Sequence, residues 1–209
     1  MSTREQILAA VRTALKDAPT VPDIPRNYRR DGEADAQRRI EVLVDRLEDY
    51  KAGVTVVDED TVPATIRDLL AGAGTYVVPA GLDPAWLAWE TDPARTVYDG
   101  GGHGARSVTE LDATDAVVTA SAVTVAESGT IILDGSPDQG RRAISLIPDH
   151  HVCVVRSRDV TAILPEALRR LDGTKPLTMI SGPSATSDIE LERVEGVHGP
   201  RRLDVVIIR

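Results

Sequence analysis

The stretch GVTVVDEDTVPATIRDLLAGAGTYVVP, residues 53–79, decides the fold class because it contains a strand, a helix and a second strand in succession. Residues 54–57 are β-branched and form a short strand, and residues 76–78 form the next one. Between them, apolar side chains recur at helical spacing, at Val62, Ile66, Leu69 and Leu70. Strands that alternate with helices predict βαβ units. The fold is therefore expected to be α/β, a mostly parallel sheet with flanking helices.

The second half of the chain continues this pattern. Its predicted strands lie at 116–118, 130–133, 151–155, 177–180 and 203–208. One amphipathic helix is predicted over 160–171, where apolar residues again recur with a helical period. No composition shift marks a second globular unit, so residues 36–209 are predicted to be one domain.

Residues 1–35 are predicted to form an N-terminal helix followed by a proline-rich tether. Ser2 and Glu5 have the spacing of a capping box, and the prolines of 19–25 cannot continue a helix. A second amphipathic helix is predicted over 33–51. Each helix could dock on the body of the same molecule, and the first could instead pack on a partner chain.

The composition excludes several classes of function. The net charge of −9 disfavours nucleic acids and anionic membrane surfaces as partners. No apolar run is long enough to span a bilayer, and the N-terminus lacks the pattern of a signal peptide, which indicates a cytoplasmic protein without membrane insertion. Cys153 is the only cysteine, so the chain cannot form an internal disulfide or bind an iron–sulfur cluster through cysteines alone.

No metal site is predicted either. His150 and His151 are neighbours on a predicted strand, where their side chains point to opposite faces and cannot share a metal ion.

Four polar, glycine-bearing loops adjoin the predicted strands, at 126–130, 135–141, 181–188 and 196–200. In open α/β sheets, ligands bind beyond the carboxyl ends of the strands. Small residues in such loops let backbone N–H groups approach an anion closely. The four loops are therefore expected to converge on one crevice that binds a small anionic substrate.

Two residues of these loops are candidates for catalysis. Glu127 is a possible acid, base or nucleophile if burial raises its pKa, or else a carboxylate that holds its own turn. His198 is a possible proton carrier, or a cap of the turn before the last strand. The substrate-binding candidates are Ser128, Gly129, Thr130, Gln139, Gly140, Arg141, Ser181, Gly182 and Ser184.

The two adjacent arginines are assigned different roles. Arg141 could bind a carboxylate with two parallel hydrogen bonds, or balance a nearby aspartate at the surface. Arg142 is expected to face the other way. Cys153, between valines in a strand, is expected to serve packing alone.

The same loops carry a resemblance to a known family. Residues 119–133, TASAVTVAESGTIIL, resemble the segment of the LUD-domain family that is built around Ala-Glu-Thr-Gly-Thr. Residues 135–142 resemble its Gly-Pro-Gly-Gln-Gly-Arg loop, and 146–155 its proline-histidine strand entry. Residues 180–190 and 196–200 match its C-terminal signatures. Several ordered motifs in one chain are far more specific than any single glycine loop.

This sequence departs from the family pattern at two positions. Ser128 replaces the usual threonine, which keeps the hydroxyl group. Asp138 replaces the usual glycine, and its charge would oppose an anion held against that loop.

The resemblance implies a fold like that of ribose-phosphate isomerases, glucosamine-phosphate deaminases and coenzyme A transferases. It also implies a subunit of a complex that oxidises L-lactate to pyruvate, beside two partner subunits that carry iron–sulfur clusters, with no cofactor in this chain. Two alternatives remain open: a non-catalytic structural or assembly subunit, and an isomerase or coenzyme A transferase-like enzyme on a small anionic substrate. Transferases of the related fold place a nucleophilic glutamate in a short Glu-x-Gly turn like that of Glu127.

Overall fold

The computed structural model describes residues 2–16, 22–183 and 199–209. The α-helices in these ranges are α1 Thr3–Ala14, α2 Ala36–Asp49, α3 Val62–Leu69, α4 Val108–Asp112 and α5 Leu164–Leu168. The strands are β1 Gly53–Val57, β2 Tyr76–Pro79, β3 Thr96–Asp99, β4 Ala116–Ala120, β5 Val123–Val125, β6 Thr130–Leu133, β7 His150–Arg156, β8 Val160–Thr161, β9 Thr178–Ile180 and β10 Arg202–Ile208.

Six strands form a parallel sheet in the order β1-β10-β7-β4-β2-β3. The last strand, β10, lies between β1 and β7 and pairs with both along its length. β2, β4 and most of β7 are buried, as expected for a parallel sheet that is covered on both faces. The predicted α/β fold with a mostly parallel sheet is therefore confirmed.

The two faces of the sheet have separate cores. On one face, α3 and Trp86 pack against the alternate residues Val152 and Val154 of β7. On the other, Leu43 and Leu47 of α2 join Cys153 and Val155 in a second cluster. The period-two alternation of a strand thus assigns neighbouring residues of β7 to different cores.

A second, smaller sheet covers part of the α2 face in the order β8-β5-β6-β9, with β6 antiparallel to both of its neighbours. The sequence did not predict this sheet as a separate unit. The helix predicted over 160–171 is wrong at its start, because residues 160–161 pair with β5 and helix α5 begins only at Leu164. Pro165 stands in the first turn of α5, where its missing N–H would have no partner within the helix, so it is compatible with a helix that begins at this point.

The two N-terminal helices differ in their packing. Leu43 and Leu47 of α2 are fully buried, which confirms that this helix docks on the body of the molecule. Helix α1 contains no buried residue, so the same docking does not occur there within the described residues.

The longest helix in the described ranges has 14 residues, and none of these helices has the length and apolar character required to cross a bilayer.

Candidate functional site

A cleft of about 840 Å³ lies beyond the carboxyl ends of β2 and β3. One wall of the cleft consists of residues that follow these strands. They are Ala80 and Gly81 after β2, and Gly100 and Gly101 after β3. The opposite wall consists of residues 133–137 and 140–142. Most of these residues belong to the polar loop predicted at 135–141. This is the position where open α/β sheets bind ligands.

Backbone hydrogen bonds hold the 134–141 loop over the sheet. The N–H of Gly81 donates to the carbonyl of Pro137, and the N–H of Ala120 donates to that of Asp138, each at 3.0 Å. Because Gly81 follows β2 and Ala120 ends β4, the loop is attached to two neighbouring parallel strands. The cleft wall therefore belongs to the rigid part of the fold.

Arg141 holds a buried carboxylate at the base of this wall. Its Nε and Nη2 atoms lie 2.9 Å from Oδ2 and 2.8 Å from Oδ1 of Asp99, whose side chain is 2 % exposed. Nη2 also donates to the carbonyl of Arg106, and the N–H of Arg106 donates to Asp99 at 2.8 Å. Burial works to raise the pKa of Asp99, but the bonds from Arg141 and Arg106 outweigh it and hold that pKa below its usual value.

A second paired carboxylate lies on the wall of the cleft. Asp134 accepts hydrogen bonds from the hydroxyl and N–H of Ser136, and Lys175 lies 3.3 Å from its other oxygen. Burial opposes ionisation here as well, but the Ser136 and Lys175 contacts keep the pKa of Asp134 low. Both aspartates at the cleft are thus neutralised by a cation of their own.

Arg142 is the remaining cation of the cleft. It begins a 3-10 turn, Arg142–Ser145, and its guanidinium makes no hydrogen bond or ion pair within the described part of the chain. The prediction that Arg142 faces the other way from Arg141 is wrong, because both arginines line the cleft. Arg141 is engaged by Asp99, whereas Arg142 has no such partner among the described residues. The backbone turns after Gly140 instead of continuing as a strand. Neighbouring side chains point to opposite faces only in a strand, so this alternation does not place the two arginines on different sides.

Gln139 and Gly140 shape the loop. Gln139 is buried, and its Oε1 accepts a hydrogen bond of 2.7 Å from the N–H of Asp134. Gly140 has φ +68°, and a Cβ there would lie 2.7 Å from Cδ1 of Ile144 and 3.0 Å from Cβ of Pro79. Gly140 also lines the cleft, and its lack of a side chain lets the loop pack closely on Ile144 and Pro79.

Glu127 lies in the turn between β5 and β6, outside the cleft lining. Its side chain is 54 % exposed, and its two oxygens lie 2.6 and 2.5 Å from Nη2 of Arg29. The burial that the catalytic interpretation of Glu127 requires is absent. The hydrogen bond that Arg29, a residue of the N-terminal tether, donates to Glu127 raises the pKa of Arg29.

Three hydroxyl groups beside this turn form a chain. Thr130 Oγ1 lies 2.8 Å from Ser128 Oγ and 2.8 Å from Ser181 Oγ, so three of the substrate-binding candidates contact one another. Gly129 and Gly182 lie against helix α2, where a Cβ would meet Arg46 at 3.0 Å and Tyr50 at 2.7 Å. These glycines permit close packing of the turns on α2.

The described loops do not converge on a single crevice. The turn with Glu127 precedes β6 and the loop with Arg141 follows it, so they lie at opposite ends of a four-residue strand. At about 3.3 Å per residue this places them roughly 13 Å apart. Ser181 lies at the Thr130 end, whereas Lys175 lines the cleft at the other end. The candidates Ser184 and His198 lie outside the described residues.

The histidines on β7 behave as predicted from strand geometry. His150 Nε2 lies 2.6 Å from Oδ2 of Asp204 on one face, and His151 Nε2 lies 2.8 Å from Oγ1 of Thr119 on the other. Cys153 is fully buried beside Thr119, and burial raises its pKa to about 12. Its role in packing is confirmed, because so buried a thiol is not a nucleophile.

Several residues at the cleft were missed by sequence reasoning. Asp99 and Lys175 are far from the 135–141 loop in sequence and belong to no motif, so no local signal marks them. The glycines after Asp99 do give a signal, because a cluster that includes Gly100 and Gly101 suggests close backbone approach.

These features define an α/β protein with a small-ligand cleft at the carboxyl ends of parallel strands. A family model described as the LUD domain matches residues 40–208. This chain belongs to the LUD-domain family.

Several similar proteins share one name. A Lactate utilization protein C from Deinococcus radiodurans is 46% identical over 168 residues, which cover 78% of this chain and 76% of the relative. A protein of the same name from Bacillus subtilis is 26% identical over 184 residues, covering 84% of this chain and 71% of the relative. The crystal structure of a DUF162 family protein from Deinococcus radiodurans is similar with a TM-score of 0.72 and 38% identity, over 85% of this chain and 100% of that chain.

Proposed function

We propose that this chain acts in lactate utilisation, as the subunit of a cytoplasmic complex that binds the substrate while L-lactate is oxidised to pyruvate. The observation that carries the proposal is Arg142 on the cleft, whose guanidinium has no hydrogen-bond or ion-pair partner among the described residues. The name shared by its relatives, Lactate utilization protein C, supports lactate as the substrate.

The charges of the cleft fit a small carboxylate. Arg141 is paired with Asp99, and Lys175 is paired with Asp134, so these four charges cancel. The charge of Arg142 is not balanced in this way, so the lining of the cleft has a net positive charge. A guanidinium binds a carboxylate with charge-assisted hydrogen bonds, which are stronger than neutral ones. We infer that Arg142 binds the carboxylate of lactate and that the paired groups keep the walls in place.

The oxidation needs an electron acceptor outside this chain. Converting the C2 hydroxyl of lactate to a carbonyl releases two electrons and two protons. Cys153 is the only cysteine and its pKa is raised to about 12, so this chain does not fit an iron–sulfur cluster. The electrons are therefore proposed to pass to clusters on two partner subunits.

An assembly subunit without a substrate is the second candidate. It is favoured by α1, whose apolar side chains are exposed along one face. A transferase that uses Glu127 as nucleophile is less favoured, because Arg29 contacts both oxygens of that carboxylate.

Direct binding separates the two candidates. Isothermal titration of the full chain with L-lactate and with pyruvate should show saturable binding. Lactamide, which lacks the carboxylate, should not bind. Arg142→Gln should weaken lactate binding by about 10- to 150-fold, since a hydrogen bond to a charged group contributes about 1.5–3 kcal/mol.

Arg158→Gln is the matched control, because Arg158 is exposed and lies away from the cleft lining. It should bind lactate as the unmodified protein does. An absence of saturable binding to either carboxylate would favour the assembly subunit, and equal affinities for Arg142→Gln and Arg158→Gln would remove Arg142 from the site.

A further inference from the structure

The cleft that follows β2 and β3 is much larger than lactate. Its volume of about 840 Å³ lies near the upper end of the range in which protein clefts bury most of a drug-sized ligand. Lactate is a three-carbon acid, so it fills only a small part of this space when its carboxylate lies at Arg142. The remainder of the cleft is available to a longer molecule.

Much of the lining of this space is small and apolar. Four apolar residues of the lining are exposed to solvent: Ala80, Ala105, Pro137 and Pro176. Leu133, the last residue of β6, adds a larger apolar side chain. Ligand sites are lined predominantly by apolar side chains, with a few polar groups that orient the ligand. The lining therefore favours a ligand with an apolar group, because burying that group removes apolar surface from water on both sides.

The charges of the cleft fit a ligand with one anionic group. Arg141 lies 2.8 Å from Asp99, and Lys175 lies 3.3 Å from Asp134, so both cations are already paired. Arg142 is the one cation of the described lining that has no such partner. A second carboxylate on the ligand would meet no unpaired cation of this lining and would lie near two aspartates. The cleft is therefore suited to a monocarboxylate with an uncharged body.

The cleft extends from the main sheet to the second sheet. Arg142 belongs to the main-sheet end, because the preceding residue, Arg141, is held by Asp99 at the end of β3. Leu133 and Thr178 belong to the other end, where they are register partners in β6 and β9. A ligand whose carboxylate lies at Arg142 thus has its apolar body directed toward the second sheet.

We propose that the cleft takes 2-hydroxy acids whose apolar side chains are larger than the methyl group of lactate, and that it binds them more tightly than lactate. Their carboxylate binds Arg142, and their side chain covers the apolar lining that includes Ala105 and Leu133. This inference rests on the proposed function for the carboxylate site. It goes beyond that function in the size and character of the side chain that the site accepts.

The test is isothermal titration of the full chain with a series of 2-hydroxy acids. The series is L-lactate, 2-hydroxybutyrate, 2-hydroxyisocaproate and phenyllactate. Each methylene group that is fully removed from water tightens binding about fourfold, so the two largest acids should bind at least about tenfold more tightly than lactate. Glycerate, which adds a hydroxyl group to the lactate skeleton, is the polar control and should bind no more tightly than lactate. Malate, with its second carboxylate, should bind more weakly.

A variant of the apolar lining locates the side chain of the ligand. Ala105→Gln puts a longer, polar side chain on the exposed wall, so it should reduce the advantage of phenyllactate over lactate at least about threefold. The affinity for lactate should be nearly unchanged, because its carboxylate lies at Arg142. Ala113→Gln is the matched control and should keep the full advantage, since Ala113 is exposed after α4 and does not line the cleft.

Arg142→Gln shows whether the larger acids use the same carboxylate site. It should weaken the binding of lactate and of phenyllactate by the same factor. Phenyllactate that binds to Arg142→Gln as tightly as to the unmodified chain would overturn the inference, because the ring would then be bound elsewhere.

The series also separates this inference from the proposed function. If lactate binds and the larger acids bind no more tightly, the inference is overturned and the proposed function stands. If neither lactate nor any larger acid binds, both fail. An advantage of phenyllactate that Ala105→Gln and Ala113→Gln leave equal would also overturn the assigned path of the side chain.

Discussion

The guanidinium of Arg141 binds the carboxylate of Asp99 at two points, with Nε 2.9 Å from Oδ2 and Nη2 2.8 Å from Oδ1. Asp99 ends β3, whereas Arg141 ends the loop that follows β6, so the pair joins the two walls of the cleft. A bidentate pair fixes both distance and orientation. The pair therefore determines the shape of the cleft that the adjacent Arg142 also lines.

Loss of the Asp99 charge should reduce stability in a pH-dependent way. Asp99→Asn should lower the free energy of unfolding by about 1–3 kcal/mol at neutral pH, because Arg141 loses its charged partner. The pKa of Asp99 is lowered in the folded protein, so this stabilisation is present above the unfolded value of about 3.9 and is lost as the pH falls through the folded value.

Urea unfolding between neutral and acidic pH checks this prediction. The stability difference between the unmodified protein and Asp99→Asn should shrink below about pH 4. The exposed Asp112 gives the control, since Asp112→Asn should leave the unfolding curve in place at every pH. A difference between the unmodified protein and Asp99→Asn that does not depend on pH would contradict the assigned role of the carboxylate.

Gly140→Ala should destabilise the protein by roughly 1–3 kcal/mol. The residue has φ +68°, and the new Cβ would press on Ile144 and Pro79. Gly102→Ala is the matched control in the other cleft loop, because a Cβ there meets nothing within 4 Å. Thermal unfolding of both variants measures the effect, and equal melting temperatures would refute the packing argument.

His151 should remain neutral in the folded protein well into the acidic range. Burial, aided by the nearby His150, lowers the pKa of His151 to about 3. In the unfolded chain the same ring takes up a proton near pH 6.5, so unfolding becomes easier as the pH falls below that value. NMR titration of the His151 ring measures this directly. A midpoint near 6.5 in the folded protein would show that the ring is hydrated.

Five of the six strands of the main sheet could be predicted from sequence because they are largely apolar runs, whereas the edge strand β3, Thr96–Asp99, was missed because it is short and half polar. The predicted strand at 203–208 and the observed Arg202–Ile208 differ by one residue. The second sheet was harder to predict, since β5 has three residues and β8 has two, too few to show a period. There the strands exist because neighbouring chain segments pair with them.

The candidate site could be predicted only in part, for a geometric reason. The sequence identified the 135–141 loop, whose residues line the cleft, but it grouped that loop with the Glu127 turn. A strand of four residues separates them, and the spacing of motifs does not show at which end of a strand each loop lies. Asp99 engages Arg141 from 42 positions away, a contact that no local pattern indicates.

The measurement that tests the central claim most directly is L-lactate-dependent dye reduction by the full chain reconstituted with the two cluster-bearing subunits that we propose as its partners. The complex should reduce the dye, and Arg142→Gln should lose about 10- to 150-fold in kcat/KM through weaker carboxylate binding. Glu127→Gln, outside the cleft, and the control Arg158→Gln should stay within about twofold of the unmodified complex, since exposed ion pairs contribute little. A loss of about 10²–10⁴-fold for Glu127→Gln, the size expected for a general acid or base, together with an unaffected Arg142→Gln, would contradict the account and place the chemistry at the Glu127 turn.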